Sequence, residues 1–221
     1  MPPDSAPTWS LVIPVKVLAR AKSRLAGLAG LAGAQRAELA LAMAADTVAA
    51  AAACPGVGTV IVVTDDKVAG AELGDLGAVV IPDTPACGLN AALAFGAAHA
   101  DSAWPGRGRA GLAADLPALA PAELTVALAA ASALPEAFVP DADGTGTTLY
   151  AAGPGTAFCP RFGPGSRDRH LAGGAVELDL PDIAGLRRDV DTPADLLLAA
   201  GIGLGPRSAA LTALIELQVK R

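Results

Sequence analysis

An α/β sandwich, with a mostly parallel central sheet flanked by helices, is the fold class that this chain predicts, on three observations. Short apolar and β-branched runs alternate with stretches rich in Ala and Leu, the pattern of strands exchanging with covering helices. Apolar residues make up 52% of the 221 and charged residues 17%, so a sizeable core is available and the composition argues against disorder. No internal repeat or linker interrupts the alternation. Residues 9–221 are therefore read as a single domain, preceded by a flexible tail over residues 1–8 that carries three prolines and no periodicity.

Residues 11–15 form the first apolar run and read as a strand. Residues 34–53 are rich in the best helix formers, and Pro55-Gly56 ends them. A β-branched strand over 59–63 follows, then a helix over 65–73, a strand over 78–81 and an Ala-rich helix over 89–100. Residues 111–114 are a short strand running straight into Asp115. Pro121, with Glu123 two positions on, suits the first turn of another helix, where the missing N–H does no harm and a carboxylate complements the dipole. Strands over 138–139 and 147–151 flank the loop 141–146, and the Gly-, Pro- and Arg-rich stretch 153–174 reads as irregular with one short helix. A last strand over 186–190 leads into a helix with Thr192 as N-cap and Pro193 at its first position, and a final helix spans 208–220.

Several function classes recede on composition. A net charge of -6 and only 3% aromatic residues argue against nucleic acid and against a charged membrane surface as partners. The uncharged run 47–64 is broken by Pro55-Gly56, so no membrane span is expected, and residues 1–10 lack the basic start and apolar centre of an export signal. Cys54, Cys87 and Cys159 are odd in number and far apart, which disfavours a disulfide framework or a zinc site and points to the reducing cytoplasm. There is no G-x-x-x-x-G-K-[ST] phosphate loop and no G-x-S-x-G nucleophile elbow. With only His99 and His170 in the chain, a histidine triad or multi-histidine metal site has little material, and His99, in an Ala-rich helix, reads as structural.

Three signals remain. Residues 5–37 contain no acid, yet carry Lys16, Arg20, Lys22, Arg24 and Arg36. Lys16 lies at the carboxyl end of the first strand, where open α/β sheets bind ligands, and a phosphate-rich ligand would be held there by charge-assisted hydrogen bonds. A solvated basic loop is an equal reading of charge alone. Second, Asp115 ends a strand at that same edge, and Asp189 and Asp191 flank Val190; on a strand, residues two apart share a face. Paired carboxylates repel unless a cation lies between them, and Mg²⁺, taking one or two carboxylates plus substrate phosphates, suits that donor set. Taken singly, Asp191 could merely precede a capped helix, and Asp195 could serve the helix dipole. Third, the loops Asp141-Ala142-Asp143-Gly144-Thr145-Gly146-Thr147 and Arg161-Phe162-Gly163-Pro164-Gly165-Ser166 offer glycine backbone and hydroxyl groups to a small anion, although both are also ordinary turn chemistry.

In collinear order these segments resemble one family. Ile13-Pro14-Val15-Lys16 with Ala21-Lys22-Ser23-Arg24-Leu25, then Leu89-Asn90, Asp115-Leu116-Pro117-Ala118-Leu119, Gly144-Thr145-Gly146-Thr147, Pro160-Arg161-Phe162-Gly163-Pro164 and Asp189-Val190-Asp191-Thr192-Pro193-Ala194-Asp195-Leu196 are similar to the guanylyltransferases of coenzyme F-420 biosynthesis, which act on phosphoenolpyruvate or 2-phospho-L-lactate. The resemblance covers residues from about 10 to 200 and implies the Rossmann-like nucleotidyltransferase fold of the nucleotide-diphospho-sugar transferase type, shared with molybdenum-cofactor guanylyltransferases. It implies Asp115, Asp189 and Asp191 as Mg²⁺ ligands, and Thr147, Gly163 and Ser166 around a phosphoenolpyruvate-type acceptor. Lys16, Lys22 and Arg24 would surround the GTP phosphates, with Lys22 and Arg24 offsetting charge in the reaction, and Asn90 would lie near the nucleoside. Ala114 stands where many relatives have Gly, and Ser23 where many have Thr. The superfamily's Gly-rich nucleotide loop is replaced by Ala-Lys-Ser-Arg, so phosphate binding must lean on cationic side chains.

The implied reaction joins GMP from GTP to phosphoenolpyruvate, giving enolpyruvoyl-2-diphospho-5'-guanosine and pyrophosphate, with a downstream transferase taking the labile product. Phosphoenolpyruvate is preferred because an Ala-, Gly-, Pro- and Arg-rich composition suggests a GC-rich bacterial gene, and bacterial relatives are associated with that acceptor. The competing readings are 2-phospho-L-lactate, a sugar phosphate or molybdopterin as acceptor, and a non-catalytic nucleotide-binding regulator.

Overall fold

The computed structural model describes residues 9–18 and 33–219. The tail expected over residues 1–8 lies outside the described residues. So do Lys22 and Arg24.

Seven strands form one sheet in the order β3-β2-β1-β4-β6-β5-β7. β1 (Trp9–Pro14) is buried along its whole length, Ser10 included, as the near-continuous apolar sequence requires of a strand covered on both faces. It pairs in parallel with β2 (Val57–Val63) on one side and β4 (Gly108–Leu112) on the other, and β2 pairs in parallel with β3 (Val79–Ile81). β6 (Thr147–Ala152) runs antiparallel between β4 and β5 (Glu136–Pro140), and β7 (Val176–Glu177) adds in parallel to β5. The carboxyl ends of β1, β4 and β5 and the amino end of β6 therefore meet at one edge.

Alternate β1 residues feed opposite faces. Trp9, Leu11 and Ile13 join one core with Ala44, Ala45 and Val48 of α1 (Gly33–Ala52), while Val12 joins a second with Ala92, Leu93 and Ala97 of α3 (Leu89–Ala103). The result is three layers, with α1 and α3 on opposite sides of the sheet. α3 lies so close that a Cβ on Gly96 would run into the side chain of Val12, which is why a helix-weakening glycine stands there. The chain winds outward from β1 to β3 and then crosses back to β4, so β1 and β4 bound the switch point where open sheets leave a crevice.

The other helices are α2 (Lys67–Gly74), α4 (Pro121–Ala131), α5 (Ser166–Ala172), α6 (Ala184–Arg187), α7 (Pro193–Ile202) and α8 (Pro206–Val219). Asp66 caps α2, accepting from the amides of Val68 and Ala69. Thr192 caps α7, with Pro193 at its first position as expected. The expected strand over 186–190 is not formed. Residues 184–187 are a single helical turn, and residues 188–191 have no regular structure and join no strand of the sheet. Gly185 explains the difference: it packs on the Ala118 carbonyl with no space for a Cβ, and its amide donates to Glu123 Oε1 at 2.8 Å, so this segment is tied to α4. The edge place goes to β7, two residues that carry no strand signal of their own.

Candidate active site

A cleft of about 970 Å³ opens at the carboxyl edge of the sheet, at the upper end of the usual range for ligand sites. Strand ends from both sides of the switch point line it: Pro14, Val15 and Lys16 after β1, Asp115 after β4, Asp141 after β5, and Thr147 at the start of β6. Lys16 is exposed at its rim. Asp189, Asp191, Gly163 and Ser166 line it as well. The residues expected to hold metal and acceptor are thus brought into one space.

The acidic side is assembled by backbone. The Asp115 carbonyl accepts from the Val190 amide at 3.1 Å, which seats the Asp189–Asp191 segment beside the end of β4. Arg187 binds the carbonyls of Pro140 (3.3 Å) and Asp141 (3.0 Å), and its own carbonyl accepts from Ala142 at 2.8 Å, fastening the same segment to β5. Buried Thr47 of α1 completes the frame: its hydroxyl faces the carbonyls of Met43 and Ala114 and accepts from the Leu116 amide at 3.1 Å. Asp189 and Asp191 therefore share the cleft through these tethers, and strand alternation plays no part.

Burial pushes the Asp189 carboxyl up to about 7, helped by the negative charges of Asp115, Asp141 and Asp191. Asp141, read from the sequence as the start of an anion-binding loop, lines the cleft as a further carboxylate, and the strand-end argument used for Asp115 applies equally to it. Asp195 serves the helix instead. Its Oδ2 accepts from the Thr192 amide and hydroxyl, both at 2.8 Å, closing the capping box of α7. Arg188 stands 3.6 Å from Asp143 and 3.9 Å from Asp195.

Among the described residues, no three His, Cys, Asp or Glu side chains are grouped closely enough to hold a metal by themselves. The donor chemistry still fits Mg²⁺, which takes one or two carboxylates and fills its shell with water and phosphate oxygens, and the repulsion at Asp189 is what such a cation relieves.

The other side of the cleft is a small polar pocket. Ser166 is buried, and its Oγ has no hydrogen-bond partner, a costly state for a buried hydroxyl unless a ligand completes it. Gly163 takes φ +114, a conformation that favours glycine. Asn90 does not aim at the cleft. Its Nδ2 donates to the Phe162 carbonyl at 3.0 Å and its Oδ1 accepts from the Phe162 amide at 2.8 Å, clamping the loop that carries Gly163. Arg169 reaches the carbonyls of Arg161, Phe162 and Pro164 in the same loop. His170, given no site role from the sequence, meets both Thr147 and Arg161, and only its fold-level neighbours could have disclosed this. The run Gly106-Arg107-Gly108-Arg109-Ala110-Gly111 has dinucleotide-loop spacing but leads into β4, so it forms no strand-to-helix phosphate turn.

The family described as "Guanylyl transferase CofC like" matches residues 9–200. The chain belongs to that family. The CofC-like chain is 61% identical over 210 residues to a phosphoenolpyruvate guanylyltransferase of Thermomonospora curvata, covering 95% of this chain and 91% of the relative. It is 58% identical over 207 residues to the enzyme of the same name from Streptomyces coelicolor, covering 93% and 96%. A solved structure assigned as a nucleotide-diphospho-sugar transferase from Desulfovibrio desulfuricans G20 superimposes with a TM-score of 0.70 at 18% identity, over 95% of this chain and 97% of the other. That likeness bears out the nucleotidyltransferase fold expected of a CofC-like protein. No helix among the described residues is long and apolar enough to cross a membrane.

Proposed function

We propose that this chain is a phosphoenolpyruvate guanylyltransferase acting in coenzyme F-420 biosynthesis. The observation that carries the reading is the near full-length identity to proteins of that name. A cleft with carboxylates on one side and an unpartnered buried hydroxyl on the other supports it.

In the proposed reaction a phosphate oxygen of phosphoenolpyruvate attacks the α-phosphorus of GTP in line. A P–O–P bond forms, the bond to the β-phosphate oxygen breaks, and pyrophosphate leaves with the electron pair. The acceptor oxygen is already ionised, so no general base is required, and the protein contributes position and charge compensation. Thr147, the Gly163 loop and Ser166 hold the acceptor phosphate and carboxylate. Lys16 faces the nucleotide phosphates, with Lys22 and Arg24 assigned to the charge on the departing pyrophosphate. Asp115, Asp189 and Asp191 would hold Mg²⁺, which supplies charge neutralisation to phosphate oxygens. Asn90, expected near the nucleoside, supports the acceptor wall instead, through the Phe162 backbone it clamps. Residues 9–221 work as one domain after a tail over 1–8, in the cytoplasm, and the product passes to a downstream transferase.

The test is pyrophosphate release from purified protein with GTP, phosphoenolpyruvate and Mg²⁺. Turnover requiring all three is expected. Equal activity with ATP at matched Mg²⁺ would reduce the assignment to an unspecified nucleotidyltransferase. With phosphoenolpyruvate and 2-phospho-L-lactate at equal concentration and limiting GTP, a majority of the lactyl product by mass would overturn the choice of acceptor.

A further inference from the structure

Behind the acceptor pocket lies a buried imidazole that the proposed reaction does not use. His170 is 1% exposed, stacked on Tyr150 (ring centroids 4.8 Å, planes 16° apart) and Phe138 (5.4 Å, 28°), with Phe162 edge-on at 5.8 Å. Both ring nitrogens are engaged. Nε2 lies 2.9 Å from the Arg161 backbone amide, and Nδ1 lies 3.0 Å from Thr147 Oγ1.

These partners determine the protonation of the ring. A backbone amide can only donate, so Nε2 must carry a lone pair. A neutral ring then has its proton on Nδ1, which donates to Thr147 Oγ1. A proton on both nitrogens is disfavoured, because burial, then the Arg161 charge and to a lesser degree that of Arg169, outweigh the opposing pull of the Ser166 backbone and bring the ring down to about 4. Since Thr147 Oγ1 receives this hydrogen bond, its own hydroxyl proton is left to point elsewhere, and Thr147 lines the cleft. The other nitrogen meanwhile fixes the first residue of the segment 161–163 that leads to Gly163. One ring thus joins the two walls of the pocket, one on β6 and one on the loop before α5.

We propose that His170 is a positioning residue of the acceptor site: as the Nδ1–H tautomer it presents the Thr147 hydroxyl as a hydrogen-bond donor to the incoming anion and sets the Arg161–Gly163 wall against it. This rests on the reading of the pocket as an acceptor site. The hydrogen bond at stake is made to an anion by a preset donor, and such bonds are stronger than neutral ones.

The first test needs no substrate. Long-range ¹H–¹⁵N spectra of imidazole-labelled protein, with His99→Gln used for assignment, should show His170 protonated on Nδ1 and bare on Nε2 at neutral pH. The opposite tautomer, or an imidazolium, overturns the proposal. The second test compares two variants that fail in opposite ways. His170→Phe keeps the aromatic stack but offers Thr147 no donor. His170→Asn loses the stack but places an amide N–H near the position of Nδ1. A purely structural histidine predicts that Phe is the better replacement in both stability and kinetics. Positioning predicts a crossed result, with Phe better in thermal stability and Asn closer to wild type in acceptor KM.

For His170→Phe the acceptor KM should rise about tenfold, while kcat and the GTP KM stay within about twofold. A parallel loss in kcat and both KM values, or no change, refutes positioning. If His170→Asn does not fold, the tautomer and the KM split of His170→Phe still decide. Wild-type protein that shows the Nδ1–H tautomer but does not turn over phosphoenolpyruvate would sink the proposed function. The kinetic comparison would then be made on whichever small phosphate supports turnover, and the same split there would sustain the positioning role.

Discussion

Asp189→Asn should make the cation-free protein more stable and the enzyme inactive. Asp189 is pushed to about 7 from 3.8 by burial and by the charges of Asp115, Asp141 and Asp191. The folded state therefore binds its proton more tightly than the unfolded chain does. Its penalty is absent below about pH 4, grows as pH rises, and is complete above about pH 7. A change of that size corresponds to an upper limit of about 4 kcal/mol, but the residue is only half-buried and screened, which reduces the expected gain to about 1–2 kcal/mol. For a chain of this length that is a rise of about 2–8 °C in Tm. The assay is thermal unfolding in EDTA at pH 8 and pH 4: the variant should gain at pH 8 and match wild type at pH 4. Mg²⁺ should then raise the Tm of wild type more than that of the variant, and turnover should fall on the order of 10²-fold or more. An equal gain at both pH values would show that Asn merely packs better, and no gain at pH 8 would show that the carboxylates do not repel as described.

Asp115→Asn should likewise abolish pyrophosphate release with the fold retained, as read by circular dichroism; near-normal activity would remove it from the metal-binding set. Ser166→Ala should leave stability within about 1 kcal/mol of wild type, because the hydroxyl has no partner to lose, while raising the acceptor KM about tenfold in steady-state assays. Asn90→Ala should raise the acceptor KM through release of the Phe162 loop, checked by comparing KM values for both substrates. His170, held down at about 4 against 6.5 unfolded, should make Asp189→Asn lose stability as pH falls from about 6.5 towards 4, measured as the slope of Tm against pH.

Some of this was legible because it depends on local rules. Asp115 follows a short apolar run, and a carboxylate at a strand's carboxyl end belongs to the crevice whatever the other strands do. Thr192 and Pro193 announce a helix start through their own chemistry. Strand alternation puts Asp189 and Asp191 in the right cleft by the wrong mechanism. Leu186-Arg187-Arg188-Asp189-Val190, apolar only at its two ends, reads as strand or helix end alike, and the deciding contact, Gly185 on the Ala118 carbonyl, joins residues distant in sequence. His170 was illegible for the same reason at greater distance, since its meaning comes from Phe138, Tyr150 and Thr147 on two neighbouring strands. Asn90 shows a further limit. Sequence order places it beside the ligand, whereas its amide is occupied by the backbone of Phe162.

The two sides of the cleft differ in how complete they are without ligands, and that difference fits the proposed chemistry. The wall proposed to take the acceptor is braced from α3 by Asn90 and from α5 by Arg169 and His170, so its loop carbonyls and the ring nitrogens already have partners. What it leaves open is the unpartnered Ser166 hydroxyl and, with His170 in the proposed tautomer, the Thr147 proton, both suited to an anion. The acidic wall is rigid in backbone yet unbalanced in charge, with the strain concentrated on Asp189. A rigid donor pocket can admit a small phosphate without rearrangement, whereas an unbalanced carboxylate wall favours arrival of positive charge. The repulsion among Asp115, Asp141, Asp189 and Asp191 would add to cation affinity, and a cation held there would supply charge neutralisation to phosphate oxygens. Transfer between two anions needs such compensation, since their mutual repulsion opposes in-line approach.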